Sequence, residues 1–325
     1  MFINFSDLPK HHNIFLDYLY EFENVKDFYT KNFRNKDEYI QHFKKISEQE
    51  KLFQNEVAQI VSEEYLNYSP SIKTQKNLNK LSAKNCCVIF TGQQVGLLGG
   101  PLYTFLKIIT TIKLASFLNE RFDDFYFVPM FWLEGDDHDF QEVSYVNLLD
   151  ESNAIKKIIY NDGLPEEENR GSIGNVKFNI NLNNFLNEFE QSLRQSDFKE
   201  SITSFVRKIY TEGSTFKSSF KELLFNLFDK YGLVLFDPQQ PSVKKLLKPI
   251  FKNEIINFRS HSEKLISVAA ELEEQYHAQV KVRPINLFMN SDDSRHSIEP
   301  IDNGFRLKGK RVKFTQEELD RKSVV

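Results

Sequence analysis

The sequence predicts an α/β protein built on a parallel sheet, and three apolar runs predict it. Cys86 to Phe90 stops at a glycine-rich bend, Gly92 to Gly100, and restarts as a helix at Pro101. Phe125 to Trp132 (FYFVPMFW) does not alternate between apolar and polar residues, so it reads as a strand covered on both faces. Gly232 to Phe236, closed by Asp237 and Pro238, returns the chain to the sheet after a helical stretch. Strands separated by helices are the pattern of an α/β core.

The elements follow in order. Residues 1–85 form a helical N-terminal region, with Phe15, Leu19 and Phe22, then Tyr39, Phe43 and Ile46, at helical intervals, and Pro70 and Ser71 end it. Residues 86–139 are the first part of the core. Residues 140–181 carry turn material (Asn161-Asp162-Gly163, Gly171, Gly174) and an acidic run, Glu166 to Glu168, which suits a small insertion with a solvated loop. Residues 182–278 supply helices and the returning strand, where Asp237 before Pro238 is a turn former. Residues 279–319 form a second β-rich insertion, with short strands at 279–288 and a hairpin across Leu307 to Phe314 bent at Lys308-Gly309. Residues 320–325 (DRKSVV) depart from the helical pattern begun by TQEEL. They read as a non-native tail, because a common short-read sequencing adapter would encode them in frame.

The glycine bend is the first candidate for chemistry. Gly92, Gly96, Gly99 and Gly100 permit positive φ and close approach of backbone N–H groups, and the helix behind Pro101 points its positive end at whatever the loop holds. It is neither a Walker motif, since Lys107 lies too far beyond the glycines, nor a dinucleotide fingerprint. Helical spacing places Tyr103, Lys107, Thr110 and Thr111 on one polar stripe, with Leu102, Phe105, Leu106, Ile109 and Ile112 on the remaining surface. Only that stripe is expected to reach a pocket.

The second candidate lies at the carboxyl end of the second strand, where open α/β sheets bind ligands. That end delivers Glu134, Asp136, Asp137, His138 and Asp139. Two uses fit. Carboxylates and an imidazole, with Glu142 nearby, suit a metal-dependent phosphoesterase; equally, carboxylates hold an amine or a sugar hydroxyl while His138 takes a proton.

Thr91 to Ala115 (TGQQVGLLGGPLYTFLKIITTIKLA) with Val128 to Val143 (VPMFWLEGDDHDFQEV) resembles the bacillithiol biosynthesis cysteine-adding enzyme family. The likeness continues through Glu212 to Pro238 and Asn286 to Leu319. The family usually shows Glu-Asp-His-Asp where this chain has Asp136 to Asp139, so one carboxylate arm is shorter here. The resemblance implies a Rossmann-like, nucleotidyltransferase-like core with two small β-containing insertions. It also implies that this chain is the N-terminal portion of a longer protein, lacking the second half of the core and a C-terminal coiled coil that pairs subunits into a homodimer. The implied reaction is amide formation between L-cysteine and glucosaminyl malate. His138, Asp137, Asp139 and Lys107 would then be catalytic. Gln93, Gln94, Gly96, Gly99, Gly100, Tyr103, Asp136 and Trp132 would bind substrate, with Trp132 as a pocket wall. Activation of the carboxyl group is chemically required, with ATP the expected energy source and no metal expected. The truncated chain by itself is expected to be weakly active or inactive.

Composition bounds the rest. The chain has 325 residues, 40% of them hydrophobic, enough for a sizeable core. Net charge is −4 with the basic residues dispersed among acids, so no footprint for nucleic acid appears. No apolar run reaches membrane-spanning length: Ile108 to Leu118 is broken by Lys113. With no charged leader, the expectation is a cytoplasmic protein without membrane or nucleic-acid partners. Cys86 and Cys87 are adjacent on a strand and point to opposite faces, so they read as small core hydrophobes. Besides the ligase and the metal hydrolase, a non-catalytic binding protein stands as the third class.

Overall fold

The computed structural model describes residues 3–9, 11–291 and 294–322. Four helices open the chain: α1 (Asn13–Tyr20), α2 (Lys36–Glu48), α3 (Gln54–Glu64) and α4 (Ile72–Lys80). Next come strand β1 (Cys86–Gln94), helix α5 (Tyr103–Asn119), strand β2 (Tyr126–Glu134), the single turn α6 (Phe140–Val143) and a hairpin of β3 (Tyr145–Leu149) and β4 (Ile155–Ile159). Helices α7 (Leu182–Ser192), α8 (Lys199–Ile209) and α9 (Phe216–Phe228) lead to β5 (Val234–Phe236), α10 (Pro241–Leu246) and the long α11 (Lys248–Glu273). The chain closes with β6 (Phe288–Ser291), β7 (Ser294–Ile301), β8 (Gly304–Leu307), β9 (Lys313–Phe314) and α12 (Gln316–Lys322).

Two compact units result. One gathers residues 50–246 and 290–296; the other gathers the chain before 50, residues 247–289 and those from 297 onward. The first holds the parallel sheet, ordered β1-β2-β5. β1 pairs with β2 from Cys86↔Tyr126 to Gln94↔Glu134, and β2 pairs with β5 over Met130 to Trp132. Gly92 lies opposite Trp132, where an added Cβ would stand 2.9 Å from the tryptophan Cβ, so only glycine admits that ring. Behind the sheet, Ile108 of α5 meets Phe131 and Leu133 in a core shared with Phe220 and Leu224 of α9. Tyr160, Phe178, Phe216 and Tyr210 stack beside it, with Phe178 and Phe216 centroids 4.5 Å apart. The many phenylalanines thus fill core volume.

In the other unit, Ile255, Ile285, Ile298, Phe305, Leu307, Phe314 and Leu319 form a separate core. The β8–β9 hairpin bends where expected, with Phe305 opposite Phe314.

Four expectations are corrected. Ser71 does not close the helical region but starts α4, its hydroxyl accepting the Thr74 amide at 3.3 Å as an N-cap. Residues 279–287 form no strand, and Pro284 within them lacks the donor a ladder needs. α12 runs through Lys322, so Asp320 to Lys322 continue the helix; it starts with a capping box, Thr315 and Glu318 each taking the other's amide. The rest of the expected tail, 323–325, lies outside the described residues.

The fourth correction concerns α5. Its buried line is Thr104, Ile108, Thr111 and Ala115, while Leu102 and Leu106 are 75% and 57% exposed and Ile109, Leu114 and Phe117 are exposed too. The helix is apolar nearly all round, so periodicity does not tell which side meets the sheet. Small residues win the inner side because β1 and β2 approach closely, and Thr111 returns its hydroxyl to the Lys107 carbonyl at 2.9 Å.

Candidate active site

The register sets the tips of β1 and β2 side by side, and the pairing extends one residue further as the Val95 amide donates to the Glu134 carbonyl at 2.8 Å. The glycine bend leaves β1 as a tight turn with φ of 52° at Leu98, 89° at Gly99 and 70° at Gly100. A leucine in the left-handed region costs on the order of 1–2 kcal/mol. The conformation is held from below: the Leu98 amide donates to the hydroxyl of buried Tyr210 at 2.8 Å, and the Gly100 amide to the Leu97 carbonyl at 2.9 Å. Two loop donors therefore point into the protein. Tyr210→Phe should destabilise the protein by about 1–3 kcal/mol, the cost of leaving a buried amide unpaired, read as a lower urea midpoint.

On α5, one turn and two turns from the bend, Tyr103 and Lys107 face Gln93. Lys107 Nζ donates to Gln93 Oε1 at 3.0 Å, and Gln93 Nε2 donates to the Tyr103 hydroxyl at 3.2 Å. The ammonium also lies 5.3 Å from the Tyr103 ring centroid. Neither partner neutralises the lysine, so its charge stays on offer to an anion.

After β2, Glu134 organises the turn. It accepts from Trp132 Nε1 at 3.0 Å and from the Asp136 amide at 2.9 Å, and Trp132 leans on Phe236 with 38% of its surface exposed. Asp136 accepts from Gln239 Nε2 at 2.8 Å and from Lys244 Nζ at 2.6 Å, while its carbonyl accepts from Arg295 Nη1 at 3.1 Å. Burial works against ionising Asp136, but Lys244 and Gln239 outweigh it and hold the carboxyl below its usual range. Asp137 Oδ1 accepts the His138 amide at 2.7 Å and lies 3.3 Å from His138 Nδ1, with the imidazole 58% exposed. Asp139 caps α6 by accepting the Glu142 amide at 3.1 Å.

The hairpin insertion braces this acidic loop. The Ile173 amide donates to the Asp137 carbonyl at 2.8 Å and the Gly174 amide to the Gly135 carbonyl at 2.9 Å. Beneath it, Arg170 forks onto Asp162 at 2.6 and 2.9 Å, both side chains almost fully buried, and the guanidinium lies 4.2 Å from the centroid of Phe140.

A cavity of about 800 Å³ opens beside the glycine bend, lined by Gln93, Gln94, Gly96, Gly100 and Tyr103 together with Glu142 and apolar residues of β3 and α7 to α9. Lys107, Trp132, Asp136, Asp137, His138 and Asp139 do not line it. Gly99 is closed off by Phe105 and Leu223. The site thus has two parts: a polar rim at the tip of β1 and an imidazole–carboxylate pair beyond the tip of β2. They meet where Val143 of α6 packs over Gly96. Asp137 Oδ1, already bound by the His138 amide, lies within ion-pair reach of Nδ1. Among the described residues, no three His, Cys, Asp or Glu side chains converge on one point that could hold a metal. The acidic cluster fails to do so because Asp136 is committed to Lys244 and Gln239 and Asp139 to its helix cap.

Tyr210, Gln239, Lys244, Arg295 and Arg170 support the site without having been expected to. No local signal marks the first four, since each acts on a partner more than a hundred residues away in sequence, whereas Gly171 and Gly174 did flag a tight turn near Arg170.

The family model described as the bacillithiol biosynthesis BshC, N-terminal Rossmann-like domain matches residues 1–323. The chain belongs to the BshC family. The resemblance drawn from the two motifs and the Rossmann-like α/β core are thereby established. Relatives named "Putative cysteine ligase BshC" include one from Chloroherpeton thalassium, 35% identical over 76% of this chain and 44% of its own length. Another, from Salinibacter ruber, is 30% identical over 94% of this chain and 56% of its own. One from Staphylococcus haemolyticus is 31% identical over 82% of this chain and 49% of its own. The chain spans about half the length of the BshC relatives it matches. Among the described residues, no helix is long and apolar enough to cross a membrane.

Proposed function

We propose that this chain is the N-terminal portion of a cytoplasmic cysteine ligase that joins the carboxyl group of L-cysteine to the amine of glucosaminyl malate, the last step of bacillithiol biosynthesis. The observation that carries the reading is the Asp137–His138 pair, exposed past the end of β2, the strand that pairs with β1, at whose tip the Gln93–Lys107–Tyr103 cluster lies. Lys107 would attract the malate carboxylates, and the glutamines would orient hydroxyls. The amine nitrogen would attack the activated cysteine carbonyl, forming the C–N bond as the leaving group departs, while its proton passes to His138 Nε2. Asp137 would stabilise the resulting imidazolium.

Amide formation in water is uphill, so the carboxyl must be activated, and ATP is the expected source. The glycine bend is a poor triphosphate cradle, because the Leu98 and Gly100 amides already have partners. The metal-hydrolase reading loses support because Asp136 and Asp139 are committed to protein groups.

Further sequence completing the core, and a coiled coil pairing two subunits, are part of the same proposal. The exposed apolar side of α5 supports it, since patches of this kind mark surfaces that another element covers. Leu106→Glu with Phe117→Lys should therefore raise the monomer fraction of this 325-residue chain in analytical ultracentrifugation, yet impair folding of a protein of the relatives' full length.

The test of function is direct. Protein extended to the relatives' length is incubated with L-cysteine, glucosaminyl malate and ATP, and the condensed thiol is sought by mass spectrometry. A folded protein that forms none removes the reading.

A further inference from the structure

Asp136 sits in the middle of the acidic loop, yet each of its carboxylate oxygens already takes a protein donor. Lys244 of α10 takes one oxygen at 2.6 Å and Gln239 the other at 2.8 Å, and Arg295 takes the backbone carbonyl of the same residue at 3.1 Å. These three groups lie more than a hundred residues further along the chain and belong to the same compact unit as the loop. Lys244 and Asp136 are each three-quarters buried as side chains, so the pair is partly shielded from water and salt.

The packing around Gln239 is more restrictive still. Its Oε1 is buried without a hydrogen-bond partner and rests between the α-carbons of Gly135 and Gly174. A Cβ at either glycine would overlap that oxygen. Neither glycine has a positive φ, so close approach, rather than backbone conformation, is what demands glycine here. The amide orientation follows from Asp136, because the donor end must face the carboxylate. The glutamine is thus gripped at both ends, by a carboxylate on one side and a glycine pair on the other. Asp137 and His138 follow directly, on a loop also tied by the backbone bonds from Ile173 and Gly174, by Glu134 on the Asp136 amide and by the Asp139 cap.

We propose that Lys244, with Gln239 and Arg295, is a positioning group that locks Asp136 and thereby presents the Asp137–His138 pair at the tip of β2. The catalytic half of this inference rests on the ligase reading; the lock itself rests on geometry alone. Lys244 touches no reacting atom. It acts by holding the loop in one conformation, which lowers the cost of placing the imidazole against a bound amine.

The test has two arms. In the 325-residue chain, Lys244→Met and Asp136→Asn should raise amide hydrogen exchange in the peptide spanning 134–143 at least ten-fold, leave β1 unchanged, and show normal protection in Lys244→Arg. Unchanged loop exchange in Lys244→Met overturns the lock, whatever the protein's activity. In the protein of the relatives' length, Lys244→Met should lower kcat at least ten-fold with KM for cysteine moved less than three-fold, and Lys244→Arg should restore kcat. A loosened loop with wild-type kcat overturns the positioning role. If that protein forms no product at all, the ligase reading falls, and the exchange arm alone decides the lock. Should Lys244→Met fail to fold, the double exchange Asp136→Lys with Lys244→Asp replaces it: restored protection supports the pair, and persistent loosening overturns it.

Discussion

His138→Ala, introduced into the protein of the relatives' length, should lower the rate of cysteinyl-glucosaminyl-malate formation by about 10²–10⁴-fold, the usual worth of a positioned general base. The imidazole is 58% exposed and fills no core volume, so the variant should keep its thermal midpoint while losing turnover. That separation makes the result informative, since a folding defect cannot produce it. Asp137→Asn should lose less, because the amide can still orient Nδ1 but no longer carries the charge that stabilises an imidazolium. The measurement is steady-state kinetics by product mass spectrometry. Wild-type turnover in His138→Ala would leave the β2 tip without a catalytic role and shift attention to Glu142 and the cavity beside it.

Arg170→Met should be the most damaging stability change outside the hydrophobic core, at about 3–5 kcal/mol, the cost of stranding one member of a buried ion pair. Arg170 and Asp162 side chains are only 5% and 7% exposed. The guanidinium also donates to the carbonyls of Glu168, Leu164 and Pro165, so it closes the whole 161–171 loop. Removing it leaves the Asp162 carboxylate buried with little besides the Leu164 amide. Since the loop runs directly into Ile173 and Gly174, which tie down the acidic loop, part of the loss should surface as faster exchange at Asp137 to Asp139.

The pair also predicts a pH dependence. Burial raises the Asp162 pKa, but the Arg170 fork and the Leu164 amide outweigh it, so the folded value lies below the ordinary one. A depressed carboxyl pKa contributes stability that is fully present above the unfolded value of about 3.9 and lost as pH falls through the folded value. Asp162→Asn should therefore be less stable than wild type at pH 7 by urea denaturation, and the gap should narrow only below about pH 4. A gap that stays constant through that range would show that shape, not charge, carries the pair.

Much of the fold was legible because its signals are short-range. Buried parallel strands announce themselves as unbroken apolar runs, and β1, β2 and β5 fall where those runs lie. The glycine bend needed no partner to be recognised, although of its glycines Gly99 and Gly100 alone use positive φ, while Gly92 serves the approach of Trp132. α5 was misread because both its sides are rich in apolar residues, and burial then depends on which side the sheet can approach. The stretch before β6 was read as strand although Pro284 within it lacks the donor a ladder needs.

At the site, the same division holds. Helical spacing put Tyr103 and Lys107 on one stripe, while their junction with Gln93 of β1 emerged only from packing. The commitments of Asp136 and Asp139 were invisible: four acidic or imidazole groups in a row look alike in a sequence, and only their partners distinguish anchor and cap from the exposed imidazole.

By itself, then, the chain's order of residues determined an α/β core, the alternation of its strands and helices, the bend after β1 and the delivery of an imidazole just past β2. Those outcomes follow from steric and hydrogen-bonding preferences acting within a few residues. Tertiary structure alone decided that Tyr210 supports the bend, that Lys244 and Gln239 claim Asp136, and that α5 turns Thr104 and Thr111 inward. Charge pairing and burial depend on through-space distance, and it is packing that brings residues a hundred positions apart to within 3 Å of one another.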